Sequence, residues 1–264
     1  MSCIIKTELE IKKMRISGQL AAEVLEMIEK YVQPDMNTED LNIICHDYIV
    51  NKKKAIPACL GYHGFPKSIC VSINDVVCHG IPNKQQIFKE GDIVNIDIAV
   101  IKNQYYGDVS KMFFVGQVNT LSKRLCQVAQ ESLYLSLKLI RPGIPLHKIG
   151  KIIEKYVKKN NFSVVQEYCG HGIGRNFHEE PHVLHYYNKE NSIILEKGMI
   201  FTIEPMINSG ARQVRCMPDG WTIKTKDHSL SAQYEHTVLV TDYGCDILTW
   251  QKDEKISPKL INKK

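Results

Sequence analysis

Apolar residues recur at helical spacing over residues 16–32, and the pattern stops near Pro34. Thr38 reads as the N-cap of a second helix, with Glu39 in its first turn, running through Leu41, Ile44 and Tyr48. The same order returns later in the chain. Residues 125–140 are helical in pattern and end at Pro142-Gly143, and another helix follows through Ile149, Ile152 and Tyr156. Pro34, Ile44 and Tyr48 lie 108 residues before Pro142, Ile152 and Tyr156, and His63-Gly64 precedes His171-Gly172 by the same interval.

After each helical pair the period changes from 3.6 to two. Val94, Ile96, Ile98 and Val100 alternate with Asn95, Asp97 and Ala99, which predicts a strand with Asp97 on the face opposite the aliphatic residues. Lys102-Asn103 reads as a hairpin turn and residues 105–115 as the return strand. That register sets residue 101 across from residue 104, and Asp97 directly across from Asp108. Opposed side chains start about 4.5–5.5 Å apart, so two carboxylates there need a cation or a raised pKa. In the second half, residues 198–204 resemble residues 91–97, making Glu204 the counterpart of Asp97. Residues 199–203 read as a buried strand ending at Glu204-Pro205, and Glu235 opens another over residues 236–241. The expected class is α+β: one domain of two pseudo-twofold-related halves, roughly 11–115 and 120–250. Its site would lie between them.

Histidines add to the acids. His171 and His178 share the Gly-rich segment 170–181, and His79 stands on a turn before Gly80-Ile81-Pro82; His182 and His185 have weaker claims. Together with Asp97, Asp108, Glu204 and Glu235, His171 makes an oxygen-rich donor set. Structural zinc prefers Cys and His. The set suits Mn²⁺ or Fe²⁺ in a carboxylate-bridged pair, with Co²⁺ or Zn²⁺ as further occupants.

Composition changes this picture little. The chain has 264 residues, 44% of them hydrophobic and 24% charged, which is ordinary for a soluble globular protein. No apolar run reaches the roughly 18–20 residues of a membrane span, and the first 14 residues hold no signal core, so a cytoplasmic location is expected. The nine cysteines are odd in number and form no Cys-x-x-Cys pair, which favours reduced, mostly buried thiols. The net charge of +5 comes from scattered lysines and a basic tail over residues 252–264. It admits weak attraction to the ribosome. No aromatic residues interleave with that tail, so no specific nucleic-acid partner is expected.

The order Asp97, Asp108, His171, Glu204, Glu235 resembles the five-ligand pattern of the methionine aminopeptidase family. The flanking words match as well: Tyr62-His63-Gly64-Phe65-Pro66, Val94-Asn95-Ile96-Asp97, Gly107-Asp108, Ile203-Glu204-Pro205 and Gln233-Tyr234-Glu235-His236. The likeness covers roughly residues 11–248, and the 33-residue interval from His171 to Glu204 is similar to the bacterial type I enzymes. It implies the pita-bread fold, a central antiparallel sheet covered by helices. It also implies two divalent metal ions (Mn, Fe, Co or Zn). Asp97 would chelate one, Asp108 and Glu235 would bridge both, and His171 and Glu204 would complete the second.

The reaction implied is removal of the initiator methionine from nascent proteins when the next residue is small, a metal-activated water attacking the first peptide bond. His178 resembles the residue that faces the oxyanion, His79 the one that contacts the scissile amide nitrogen, and Glu204 would also shuttle the proton. Cys59, Tyr62, Phe65, Cys70, Phe177 and Trp221 would build the methionine pocket. Phe65 stands where many relatives have Tyr. Val109 stands where Thr is common, which would loosen support for Asp108. The implied partners are N-termini of nascent polypeptides, with ribosome contact and a monomeric state as accompanying expectations. Ser2 is small, so the mature protein is expected to lack Met1. Proline-specific relatives of the same fold carry similar ligands, usually with a distinct N-terminal domain. Binding proteins that keep the fold tend to lose ligands, and all five are present here.

Overall fold

A computed structural model describes residues 3–190 and 193–261; the Met1-Ser2 start and the last three residues of the basic tail lie outside them. Helix α1 (Glu8–Ile28) begins with a reciprocal capping box, in which Thr7 accepts from the Glu10 backbone and the Glu10 carboxylate accepts from the Thr7 N–H. Helix α2 (Thr38–Asp47) is capped one residue earlier than the sequence suggests. The Asn37 side chain accepts from Asp40 N, while the Thr38 hydroxyl is diverted to hold Asn83 and Gln86. Both residues can cap, and the tertiary contact decides which one does.

The first half continues in antiparallel strands β1 (Cys70–Ile73), β2 (Ile93–Lys102) and β3 (Tyr105–Phe114), with β2 in the middle and the short segment Ile56–Pro57 also paired to it. The β2–β3 turn is Asn103-Gln104, not Lys102-Asn103, and Lys102 pairs with Tyr105. Both turn residues have positive φ, 53° and 69°, as a two-residue type I′ hairpin requires. The shift of one loop position moves the pairing by two residues, so Asp97 faces Ser110 and Asp108 faces Ala99. Asp97 and Asp108 are diagonal neighbours, not opposed ones. Because the shift is even, they remain on one face.

The second half repeats the plan. Helix α3 (Thr120–Leu137) is capped by Asn119 and starts before residue 125, and helix α4 (His147–Lys159) follows. Strands β4 (Gly170–Gly172), β5 (Ile200–Ile203) and β6 (His236–Val240) then pair antiparallel, with β5 in the middle. Each half thus places two helices before a strand that carries one carboxylate, Asp97 within β2 and Glu204 just after β5. This is the α+β, pita-bread architecture.

Ile96, Ile98 and Val109 pack against Leu25, Ile28 and Leu41 in one core cluster, and Phe201, Ile203 and Val238 pack with Leu133, Ile149 and Ile153 in another. The halves meet through β3 and the approach to β6: Glu235 N donates to Ser110 O, and the Thr237 hydroxyl donates to Asp108 O. No described helix is long and apolar enough to cross a membrane. None of the nine cysteines is in a disulfide, and six are buried.

Helix α1 lies unusually close to the hairpin at one point. A Cβ on Gly107 would stand 2.4 Å from the Ser17 carbonyl carbon and 2.5 Å from Gly18 N. The Ser17 hydroxyl, fully buried, donates to Tyr105 O at 2.9 Å. Backbone atoms cannot step aside as a side-chain tip can. Gly107→Ala is therefore expected to destabilise by about 1–3 kcal/mol through overpacking. A urea titration should show a lower midpoint at unchanged slope, and an unchanged midpoint would refute the close-packing argument.

Candidate metal centre

Alternation along β2 and β3 sends Asp97 and Asp108 away from the helices and into a cavity of about 280 Å³ between the halves. Glu204, at the end of β5, Glu235, just before β6, and His171, in the middle of β4, line the same cavity. All five expected ligands therefore converge. His171 Nε2 is 3.6 Å from Asp108 Oδ2 and 3.7 Å from Glu204 Oε1. Donor atoms of Asp108, His171 and Glu235 all lie within 4.8 Å of one another.

Such crowding is costly for charge. Burial pushes Asp108 up to about 7. Asp97, Glu204 and Glu235 are raised well above the usual carboxylate range, first by burial and then by repulsion from Asp108. No lysine or arginine is among the residues lining the cavity. Asp108 Oδ1 and Glu235 Oε1, both buried, have no hydrogen-bond partner among the described residues. His171 Nδ1 lies 2.9 Å from Gly172 O. A carbonyl only accepts, so Nδ1 carries the proton and Nε2 presents its lone pair to the carboxylates, an arrangement typical of metal-binding histidines. Unpartnered anionic oxygens and an aimed imidazole lone pair fit a divalent cation.

The hydrogen bonds around these residues were not visible in the sequence. His171 N donates to Thr202 Oγ1 at 3.0 Å, and that hydroxyl donates to Glu204 Oε1 at 2.8 Å. Gln233 Nε2 donates to Glu204 Oε2 at 3.2 Å, and Glu204 N donates to His185 Nε2 at 3.1 Å. His185 is thus a buried backbone acceptor. His182, paired with His171 across the strands, is exposed and outside the cavity lining.

The remaining expected residues line the cavity too. Cys59, Phe65, Cys70 and Phe177 form a buried apolar cluster against which Tyr62 and Trp221 pack. The Phe65 and Trp221 rings meet edge to face at 5.2 Å, and Tyr62 and Phe177 at 4.9 Å. His79, at φ 55°, turns its ring toward Tyr168 and Trp221, and burial lowers its pKa to about 4. His178 Nδ1 is 2.6 Å from the Tyr62 hydroxyl; burial first, then His171 and His79, bring its pKa to about 3. Both histidines are neutral at physiological pH. Tyr168, Cys169, Met206 and Glu167 also line the cavity. Nothing in their local sequence marks them, because they enter through loops and a short strand from the second half.

Residues 12–242 match the model of metallopeptidase family M24. The chain is 80% identical over 262 residues to a methionine aminopeptidase of Buchnera aphidicola subsp. Acyrthosiphon pisum, covering 99% of each. It is 60% identical to the methionine aminopeptidase of Escherichia coli (strain K12), again over 99% of each. The crystal structure of methionine aminopeptidase from Rickettsia prowazekii superposes with a TM-score of 0.92 at 49% identity, covering 94% of this chain and 100% of that one. The chain belongs to metallopeptidase family M24 and, within it, to the methionine aminopeptidases.

The raised carboxyl pKa values give a pH dependence with a definite sign. Acids held protonated near neutrality must lose those protons before a cation can bind. For chelator-stripped protein, Mn²⁺ affinity should rise from about pH 6 to about pH 8, with protons released on binding. Calorimetry in two buffers of different ionisation enthalpy measures both quantities. Flat affinity and no proton release would contradict the assigned protonation.

Proposed function

We propose that residues 11–115 and 120–250 form the two halves of a single catalytic domain that removes N-terminal methionine from nascent polypeptides when the next residue is small. Two divalent ions would be held by Asp97, Asp108, His171, Glu204 and Glu235, with Asp108 and Glu235 shared between them. The observation that carries the reading is the juxtaposition of this carboxylate cluster with an apolar, sulfur-bearing pocket in one cavity. Membership in the methionine aminopeptidases supports it further.

Bound divalent ions would supply Lewis-acid activation of water and of the scissile carbonyl. The other roles belong to side chains. Cys59, Tyr62, Phe65, Cys70, Phe177 and Trp221 would hold the thioether side chain, with soft sulfur and aromatic faces as its contacts. With the Tyr62 hydroxyl as donor to His178 Nδ1, 2.6 Å away, Nε2–H would be the donor for the oxyanion. His79, neutral and half-buried, would meet the scissile amide nitrogen. Glu204, whose two oxygens accept from Thr202 and Gln233, would take the proton from water and pass it to the leaving amine.

Mn²⁺, Fe²⁺, Co²⁺ and Zn²⁺ are all compatible with this donor set. We assign the enzyme to the cytoplasm, as a monomer acting on chains at the ribosome, in keeping with its scattered lysines and net charge of +5.

Chelator-stripped protein supplied anaerobically with each metal in turn should regain release of free methionine from Met-Ala-Ser, while Xaa-Pro dipeptides remain intact. Asp108→Ala should abolish the activity, and Glu204→Gln should lower kcat by about 10²–10⁴-fold with little change in KM. Should every metal fail while the folded protein still binds it, the aminopeptidase reading falls and a non-catalytic or proline-specific role replaces it.

A further inference from the structure

Thr202 is fully buried in β5, two residues before Glu204, so strand alternation puts its hydroxyl and the Glu204 carboxylate on one face. The hydroxyl accepts the His171 N–H at 3.0 Å and reaches Glu204 Oε1 at 2.8 Å. An amide N–H can only donate, so the single hydroxyl proton is committed to the carboxylate. The bond therefore has one polarity and one geometry. Together with the Gln233 amide on Oε2, it selects a rotamer for Glu204 at the end of its strand. It also fixes the start of His171 relative to that carboxylate.

Across the sheet Thr202 faces Thr237, likewise fully buried. The Thr237 hydroxyl donates to Asp108 O at 2.8 Å and stands 3.3 Å from Asp108 N. Glu235 precedes Thr237 by two residues on the same face. One cross-strand threonine pair thus reaches His171, Glu204 and Asp108 directly. Gly170 permits the approach of β4, since a Cβ there would lie 2.4 Å from Thr202 O and 3.2 Å from its Oγ1.

We infer that Thr202 is a positioning residue for the metal centre: its hydroxyl, not its methyl group, holds Glu204 and His171 in the geometry that binds the cation. The inference rests on the metal-site reading proposed above.

Thr202→Val keeps the shape and removes the hydroxyl. Calorimetric titration with Mn²⁺ should show affinity about 10–100-fold below wild type. The kcat for Met-Ala-Ser should fall at saturating metal with KM unchanged. Thr202→Ser should restore both. If the valine variant fails to fold, Thr202→Ser against Thr202→Ala decides, because both lack the methyl and differ only in the hydroxyl. Wild-type affinity in Thr202→Val, or equally weak binding by the serine and alanine variants, would overturn the assignment. Tight Mn²⁺ binding by wild type without methionine release would remove the proposed function while leaving the affinity comparison decisive for Thr202.

Discussion

Asp97, Asp108, Glu204 and Glu235 cluster in one cavity whose described lining holds no lysine or arginine, and burial together with repulsion from Asp108 makes ionisation of the other three harder. Burying even one uncompensated charge costs several kcal/mol. The fold nevertheless brings Asp97, Asp108, Glu204 and Glu235 together from four different strands or their ends. Only two outcomes are stable. Protons are retained on some of the acids, or a cation enters and the repulsion becomes coordination. The rest of the molecule can be understood as the apparatus that holds this cluster in place without relieving it.

That apparatus uses the halves unequally. The first contributes a continuous hairpin, in which ten-residue strands β2 and β3 fix Asp97 and Asp108 chiefly through backbone pairing. The second has short strands, of three to five residues, and Glu204 and Glu235 sit just beyond strand ends where pairing stops. There, side chains take over. Thr202, Gln233 and His185 hold Glu204 by its two oxygens and its backbone, and Thr237 stitches the second half to Asp108 in the first. Hydrogen bonds that fix a ligand in a dry site are worth more than the same bonds in water.

The legibility of the sequence follows this division. Period-two alternation exposed the face of Asp97 because the hairpin is long and one side of it is buried under α1 and α2. The 108-residue offset exposed the second half as a repeat of the first. Register depended on which dipeptide takes two positive φ angles, and Asn103 fits either position of the turn. The cap of α2 turned on a contact between Thr38 and residues more than 40 positions away. The apolar pocket was unreadable without the resemblance, since its six residues come from separate segments that each look like ordinary core. Thr202 and Thr237 were hidden for the opposite reason: β-branched residues in a strand need no explanation beyond the strand.

Val109 shows how position decides the meaning of a substitution. A residue next to a metal ligand invites the idea that its side chain supports that ligand, and a valine there would then weaken Asp108. In β3, adjacent side chains point to opposite faces. Val109 is fully buried in the cluster formed with α1 and α2, opposite Ile98, whereas Asp108 faces the cavity. A hydroxyl at 109 would sit among aliphatic side chains, not beside the carboxylate. The support for Asp108 comes from across the molecule, where Thr237 bonds its backbone carbonyl. Phe65 lies on the cavity side, and there the missing hydroxyl has a consequence. Its ring, buried edge to face with Trp221, keeps that wall of the pocket apolar where a tyrosine would introduce a polar group. Two neighbouring-looking departures from the family pattern therefore act in different compartments, one on the packing of the first half and the other on the apolar wall of the cavity.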